Sequence, residues 1–341
     1  MDLTTPIDIQ AVIGAVKKHK DLLVTLDAEE AGDILKHFTP IPGVKDSITL
    51  GRTTLGKISH KYTGHFVGQV SNGKIVPRTL KVYPCVMEMD DEPERYRRTY
   101  ITEVKGGLYP KEHPFEIWLN NYGIKCASKE LHDVILIAKY DSNAEKTDLA
   151  TSFDGPFTIL EDEKKAGNIS EEKGNMYKTG TFSRADIGTK LLNMYRSRAN
   201  TFRKKKAKLF ISPDLGDMYD DWLEDQGVLV VDGNGNLSET TDQQFLRGTN
   251  KKVEIVRLTG MPDGSQFVLL TTKENSCYAY DKEEDFRRLI PFNSGNPYHY
   301  NAAGKYLLGF QYVTIDKSEL CVNDQPVTPV ESPSDDSEVT E

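Results

Sequence analysis

Few residues in this chain have a type and spacing that could do chemistry, and each group has a plainer reading beside it. Between Arg196 and Lys208, seven of thirteen residues are basic: Arg196, Arg198, Arg203, Lys204, Lys205, Lys206 and Lys208. Such a run can neutralise phosphates in a salt-dependent way, and Arg203, Lys204, Lys205 and Lys206 form its dense part. Phe202 is its one aromatic residue, so stacking on bases is not indicated. A solvated connector, or a contact with an acidic partner, accounts for the same residues. Asp214, Asp217, Asp220, Asp221, Glu224 and Asp225 follow close behind and offer a complement, within the chain or between copies.

The other candidates are weaker. His60 and His65 are five apart, which in a strand puts them on opposite faces and argues against a shared metal. His19, His37, His113, His132 and His299 are dispersed and form no helical metal-binding pair. Asp232-Gly233-Asn234-Gly235-Asn236 resembles the start of a calcium loop. Leu237 stands where that loop needs glycine, and Gln243 where it needs a bidentate glutamate, so a hairpin turn is the better reading. There is no phosphate-binding glycine loop, nucleophile elbow or kinase signature. No catalytic, metal-binding or cofactor-binding residue is expected, and no cofactor. Paired carboxylates could still meet in space, which keeps a soluble carboxylate-based enzyme as an alternative from another class.

The composition sets the frame for these residues. At roughly 150 residues per domain, 341 residues suggest about two folding units. The 43 Lys and Arg against 52 Asp and Glu give a net charge of −9, unlike a dedicated nucleic-acid binder, though a local basic patch is compatible with it. No apolar run approaches the roughly 20 residues of a membrane span. Met1 to Pro6 lacks the basic start and apolar centre of a secretory signal. Cys85, Cys126, Cys277 and Cys321 are scattered and form no close pair, which reads as reduced thiols in an intracellular protein.

The elements that must carry these residues are legible in outline. Ile9, Val12, Ile13 and Val16, then Leu22, Leu23 and Leu26, follow helical spacing, and a short helix runs from Asp27 to Leu35 before Pro40 and Pro42 stop it. This stretch predicts an arm that packs on another surface. From Ile48 to Met89 the pattern is extended, with Asn72-Gly73 as a hairpin signal, predicting a long two-stranded ribbon. Asp90 to Arg95 and Gly106 to Pro110 read as connectors. Phe115, Trp118, Leu119, Tyr122, Leu131, Val134, Ile135 and Ala138 predict one long or kinked helix over 114–140, with Pro114 in its first turn and Gly123 and Ser128 weakening its middle.

Phe153 to Phe157 makes a sharp turn into a mixed α+β region. Ser183 predicts the cap of a helix carrying Ile187, Leu191, Met194 and Tyr195. Ser212-Pro213-Asp214 opens a second helix that buries Leu215, Met218, Tyr219, Trp222 and Leu223 and ends at Gly227. Strands are expected at 209–211, 228–231, 253–258, 267–272 and 306–315. The end of the chain is Pro, Ser and acid, with no basic residue after Lys317, and reads as a disordered tail.

This order of elements resembles the major capsid proteins of tailed bacteriophages, with the Hong Kong 97-type capsid fold. Lys208 to Ser212 followed by Met218 to Leu223, and Thr272-Lys273-Glu274-Asn275 before Tyr278 to Asp281, are similar to segments of that family. The resemblance reaches to about Ile315. It implies an N-terminal arm at 1–47, an extended hairpin loop at 48–102, a spine helix region at 103–152, peripheral and axial domains at 153–320 and an acidic tail at 321–341. It implies a virion subunit made in the bacterial host cytoplasm, without catalysis or membrane. Its partners would be copies of itself in hexamers and pentamers, portal, scaffolding and auxiliary head proteins, and packaged DNA without sequence specificity. Tyr62, Phe66 and Val82 of the ribbon would lie on the adjacent subunit. An encapsulin-like shell protein or another virion component, such as a tail tube subunit, is the nearest alternative.

Overall fold

The computed structural model describes residues 30–54, 59, 61, 64, 74–107, 114–144, 148–227, 244–292 and 299–329. They fall into two compact units that interleave along the chain. The first takes its described residues from Met1–Thr49, Thr79–Gly155 and Cys277–Gln311, and the second from Leu50–Arg78, Pro156–Ser276 and Tyr312–Glu341. Each unit draws on stretches far apart along the chain, because strands distant in sequence pair within it.

The first unit is a sheet with a long helix. Strand β1 (Thr39–Ile41) pairs in parallel with β9 (Ser276–Ala279). Strand β4 (Tyr83–Asp91) and β10 (Ile290–Phe292) each pair antiparallel with the thirteen-residue β11 (Tyr300–Tyr312). In β4, Cys85 and Met87 point inward while Pro84, Val86 and Glu88 are exposed, the alternation of a half-buried strand. Helix α3 (Phe115–Val134) has twenty residues, about 30 Å. Pro114 precedes it as an extended N-cap (ψ 148°), and the helix stops at Val134, short of the expected Tyr140. The residues expected to weaken its middle are contact points. A Cβ on Gly123 would lie 2.9 Å from Leu289, so glycine lets the helix approach its neighbours. Ser128 Oγ accepts from the N–H of Ala31, satisfying the second residue of helix α1 (Glu30–Leu35).

Two expectations are corrected here. The extended stretch from Ile48 to Met89 is not one ribbon: β2 (Ser47–Thr54) and β3 (Lys74–Lys81) form a two-stranded sheet, while β4 joins β11. Between the two connectors lies helix α2 (Glu94–Gly106), closed by Gly107 at φ 75°. It buries no residue fully and is held by its rings: Tyr96 lies 5.4 Å from Tyr122, and Tyr100 lies 5.3 Å from Phe115.

The second unit is a five-stranded mixed sheet with helices. The strands are β5 (Met176–Tyr177), β6 (Ala207–Ile211), β7 (Val253–Arg257), β8 (Leu269–Thr271) and β12 (Leu320–Asn323), ordered β5-β12-β8-β6-β7. Helix α4 (Pro156–Lys165) was not anticipated; it buries Phe157 and Leu160. Helices α5 (Ile187–Arg196) and α7 (Pro213–Asp225), with the short α6 (Asn200–Arg203) between them in sequence, place Leu191, Met194, Leu215, Tyr219 and Leu223 in one core with Leu209, Ile211, Val253 and Leu270. A Cβ on Gly188 would sit 2.3 Å from the Trp222 ring, so only glycine lets α5 pass the indole. Ser212 caps α7, accepting from Leu215 N–H at 3.3 Å. Ser183 does not cap α5 with its side chain: its N–H donates to the Asp186 carboxylate at 2.9 Å, and Asp186 is the cap residue.

The chain end is also corrected. Leu320–Asn323 is fully buried strand, and Val327 is buried, its N–H donating to Glu161 at 2.9 Å. Residues 321–329 thus belong to the fold and not to a tail. The expected strand at 228–231 and the 232–236 turn lie outside the described residues.

Candidate functional site: the ribbon root and the basic segment

Each strand of the ribbon sends one arginine onto a carboxylate. Arg78 on β3 donates to Glu163 Oε1 at 2.7 Å and to the Tyr312 carbonyl at 3.0 Å. Arg52 on β2 pairs with Glu319 Oε1, and Lys205 pairs with the same oxygen. The Thr272 hydroxyl donates to the other oxygen at 3.2 Å. The Glu319 side chain is only 3% exposed. A buried carboxylate is costly unless paired and hydrogen-bonded, and two cations and a hydroxyl meet that demand. Burial, and then the neighbouring charge of Arg52, pull the Lys205 pKa below the ordinary lysine value. These groups line a cleft of about 570 Å³ with Lys206, Glu274 and Asn275.

Of the ribbon residues expected to meet a neighbouring subunit, Tyr62 and Phe66 lie outside the described residues. Val82 is corrected: its side chain is covered by its own chain, 5% exposed, and its N–H donates to the Asp46 carbonyl at 2.9 Å. The exposed apolar side chains are others. Val76 on β3 (52%) and Val86 on β4 (53%) stand out, with Ile290 and Phe292 on strand β10. The alternation of β4, with Val86 between Cys85 and Met87, was a signal that sequence reasoning passed over.

The structure splits the basic segment into structural and free residues. Arg198 is buried, donating to the Gly174 carbonyl at 2.6 Å and to Ser197 Oγ at 2.8 Å. Lys205 is taken by Glu319, and Lys208 faces Glu254 at 3.3 Å. Arg203, Lys204 and Lys206 are exposed, with Arg203 over the Tyr195 ring at 5.7 Å from its centroid. The acidic face of α7 is not their complement. Asp217 and Asp220 pair with Arg257, Asp221 and Asp225 pair with Arg184, and Asp214 accepts from Gly264 N–H. Arg184 also holds the Asp225 carboxyl below its usual value. Glu319, Arg52 and Arg78 were invisible to sequence reasoning, because each meets its partner across a long stretch of chain.

Among the described residues no three His, Cys, Asp or Glu side chains gather as metal ligands, and no helix is long and apolar enough to cross a membrane. None of the four cysteines forms a disulfide. Burial pushes the thiols of Cys85 and Cys321 up to about 12 and that of Cys277 to about 11, so these three are held as thiols.

No protein-family model matches the chain, and no curated protein does. Solved structures do. A chain of the satellite phage P4 procapsid, solved with its size-determination protein, aligns at a TM-score of 0.54 and 12% identity, covering 96% of this chain and 94% of that one. The capsid of an empty GTA particle aligns at 0.51 and 11% identity over 87% and 90%. The chain has the capsid fold of tailed phages. That is the α+β, Hong Kong 97-type fold. The SrpI encapsulin of Synechococcus elongatus also aligns, at 0.44 and 14% identity over 85% and 86%.

Proposed function

We propose that this chain is a major capsid protein: it assembles with copies of itself into an icosahedral head around double-stranded DNA, and it works without catalysis. The observation that carries this reading is the near full-length match, in both directions, to a chain of an assembled procapsid. The surface supports it. Val76, Val86, Ile290 and Phe292 leave apolar side chains in water on one chain, and a closed shell supplies sister surfaces to cover them. Its partners are hexameric and pentameric rings of itself, a portal, a scaffolding protein and auxiliary head proteins. Its place is the virion, after synthesis in the cytoplasm of a bacterial host.

Expression of the chain alone, followed by size exclusion and negative-stain microscopy, tests the reading. Shells, hexamers or pentamers are expected. A monodisperse monomer at high concentration, with or without added scaffold-like crowding, overturns it. Replacing the segment between Thr54 and Lys74 by a short linker should abolish assembly and leave the second unit folded.

A further inference from the structure

We propose that the loop entering β6 and the turn preceding β7 together form a binding surface for the phosphate backbone of duplex DNA. Two contacts bring them together. Ala207 N–H donates to the Lys252 carbonyl at 2.8 Å, and Lys252 Nζ donates to the Arg203 carbonyl at 3.2 Å. The surface therefore carries Arg203, Lys204, Lys206, Lys251 and Lys252. None of these five makes an ion pair among the described residues. The basic run seen in sequence thus gains two lysines from a turn some fifty positions away, while losing Arg198, Lys205 and Lys208 to structural partners.

The turn itself points to a purpose for its lysine. The N–H of Lys252 bonds the Thr249 carbonyl at 3.3 Å, and the two central residues, Asn250 and Lys251, have φ of 56° and 57°. Two successive positive φ values define a type I′ turn, which favours asparagine first and glycine second. Asn250 fits. Lys251 occupies the glycine position at a conformational cost, and such outliers cluster at functional sites. A side chain kept there against the backbone's preference brings a charge that glycine lacks.

The chemistry selects the partner. Phe202, Ala207 and Leu209 beside the patch are buried, so a protein partner would find no apolar centre to cover, which specific protein interfaces require. Among the described residues beside the patch no exposed ring offers to stack a splayed base, which single-strand binding uses. Phosphates on a duplex need neither, only cations, and their binding weakens with salt by counterion release. The inference stands whether or not the chain builds a shell.

The test uses the full chain, kept unassembled and checked by light scattering, with fluorescence anisotropy of a labelled duplex of scrambled sequence at several salt concentrations. Binding at low salt is expected, with a slope of log K on log salt that falls by about 0.9 for each cation removed. Lys204→Gln with Lys206→Gln should reduce affinity and slope together. Lys251→Gly separates binding from folding: it should raise the melting temperature, by removing the left-handed lysine, while weakening DNA binding severalfold. Unchanged binding in these variants overturns the proposal. So does a lower melting temperature for Lys251→Gly, no binding of duplex at low salt, or tighter binding of polyglutamate than of DNA at equal salt.

Discussion

The five-stranded sheet and the ribbon root lie in the same unit but are built from opposite chemistry. Between the sheet and its helices, Leu209, Ile211, Leu215, Tyr219, Val253 and Leu270 are each at most 1% exposed, packed without charge. The ribbon root rests on Arg52 with Glu319 and Arg78 with Glu163, and both arginines stay partly in water. Apolar packing has no substitute partner when one side chain goes. The root has spares. Without Arg52, Glu319 keeps Lys205 and Thr272; without Arg78, Glu163 keeps the amide of Asn168 at 2.7 Å. A ribbon held in this way can be released without stranding a buried carboxylate, whereas the sheet cannot be opened without exposing its core.

The comparison breaks most sharply at the sheet. Leu270→Ala removes a fully buried side chain from the middle of β8, and such truncations cost about 2–5 kcal/mol. Chemical denaturation should show a loss in that range. A loss under about 1 kcal/mol, less than any buried Leu→Ala in a packed core, would show that the sheet is not the stable part of the unit.

Glu319→Ala comes next, because it removes the carboxylate on which two cations meet. Arg52 and Lys205 would then repel each other, and Thr272 would lose an acceptor. Both cations are near a third exposed or more, so water takes up part of the loss, and about 2 kcal/mol is expected. Glu319→Gln, which keeps the shape and one hydrogen bond from Thr272, should cost less. Equal costs for the two would mean that charge plays no part at the root.

This division also marks what could be read in the sequence. Helix α7 was legible because Ser212, Pro213 and Asp214 are local signals and its apolar stripe has one period. The sheet positions of β6 and β7 were legible as short apolar runs. Helix α2 was missed because Tyr96 and Tyr100 pack ring to ring at its side and bury nothing fully, so its apolar pattern is faint. Strand β12 was hidden at the edge of an acidic segment, although Leu320, Cys321 and Val322 are apolar. The basic run was seen, but which of its members are free depends on Gly174, Glu319 and Glu254, none of them near in sequence. Lys251 gave no signal at all, since a lysine after an asparagine reads as an ordinary turn until both φ values are positive.

The two arginines of the root should differ from each other. Arg78 is 12% exposed and makes a charged hydrogen bond and a second to a carbonyl, so Arg78→Ala should cost about 1–2 kcal/mol. Arg52 is 44% exposed, and Lys205 remains on Glu319 without it, so Arg52→Ala should cost under about 1 kcal/mol. Amide exchange across Lys74–Lys81 should quicken more in the first variant than in the second, and quicken further with added salt. The same rates in both would remove the distinction between a carboxylate that holds one cation and a carboxylate that holds two.

The smallest effect is a pH dependence at the edge of the sheet, and it sharpens the comparison by placing a carboxylate where apolar packing ends. Burial raises the Asp324 pKa, but hydrogen bonds outweigh it: the Thr179 N–H at 2.9 Å, the backbone N–H of Asp324 itself, the Gln325 side chain and the Thr179 hydroxyl at 3.1 Å hold the carboxyl below its usual 3.8. A group with a depressed folded pKa adds stability that is complete above its unfolded value and is lost as pH falls through the folded one. The contribution should therefore be full above about pH 5 and fade below about pH 4. Water screens this partly exposed group, so the change should amount to about half a kcal/mol. Asp324→Asn should flatten that part of the stability profile and leave the neutral-pH core, measured by the Leu270 variant, unchanged. A wild-type profile with the same slope as the variant would show that the carboxylate at 324 binds no tighter folded than unfolded.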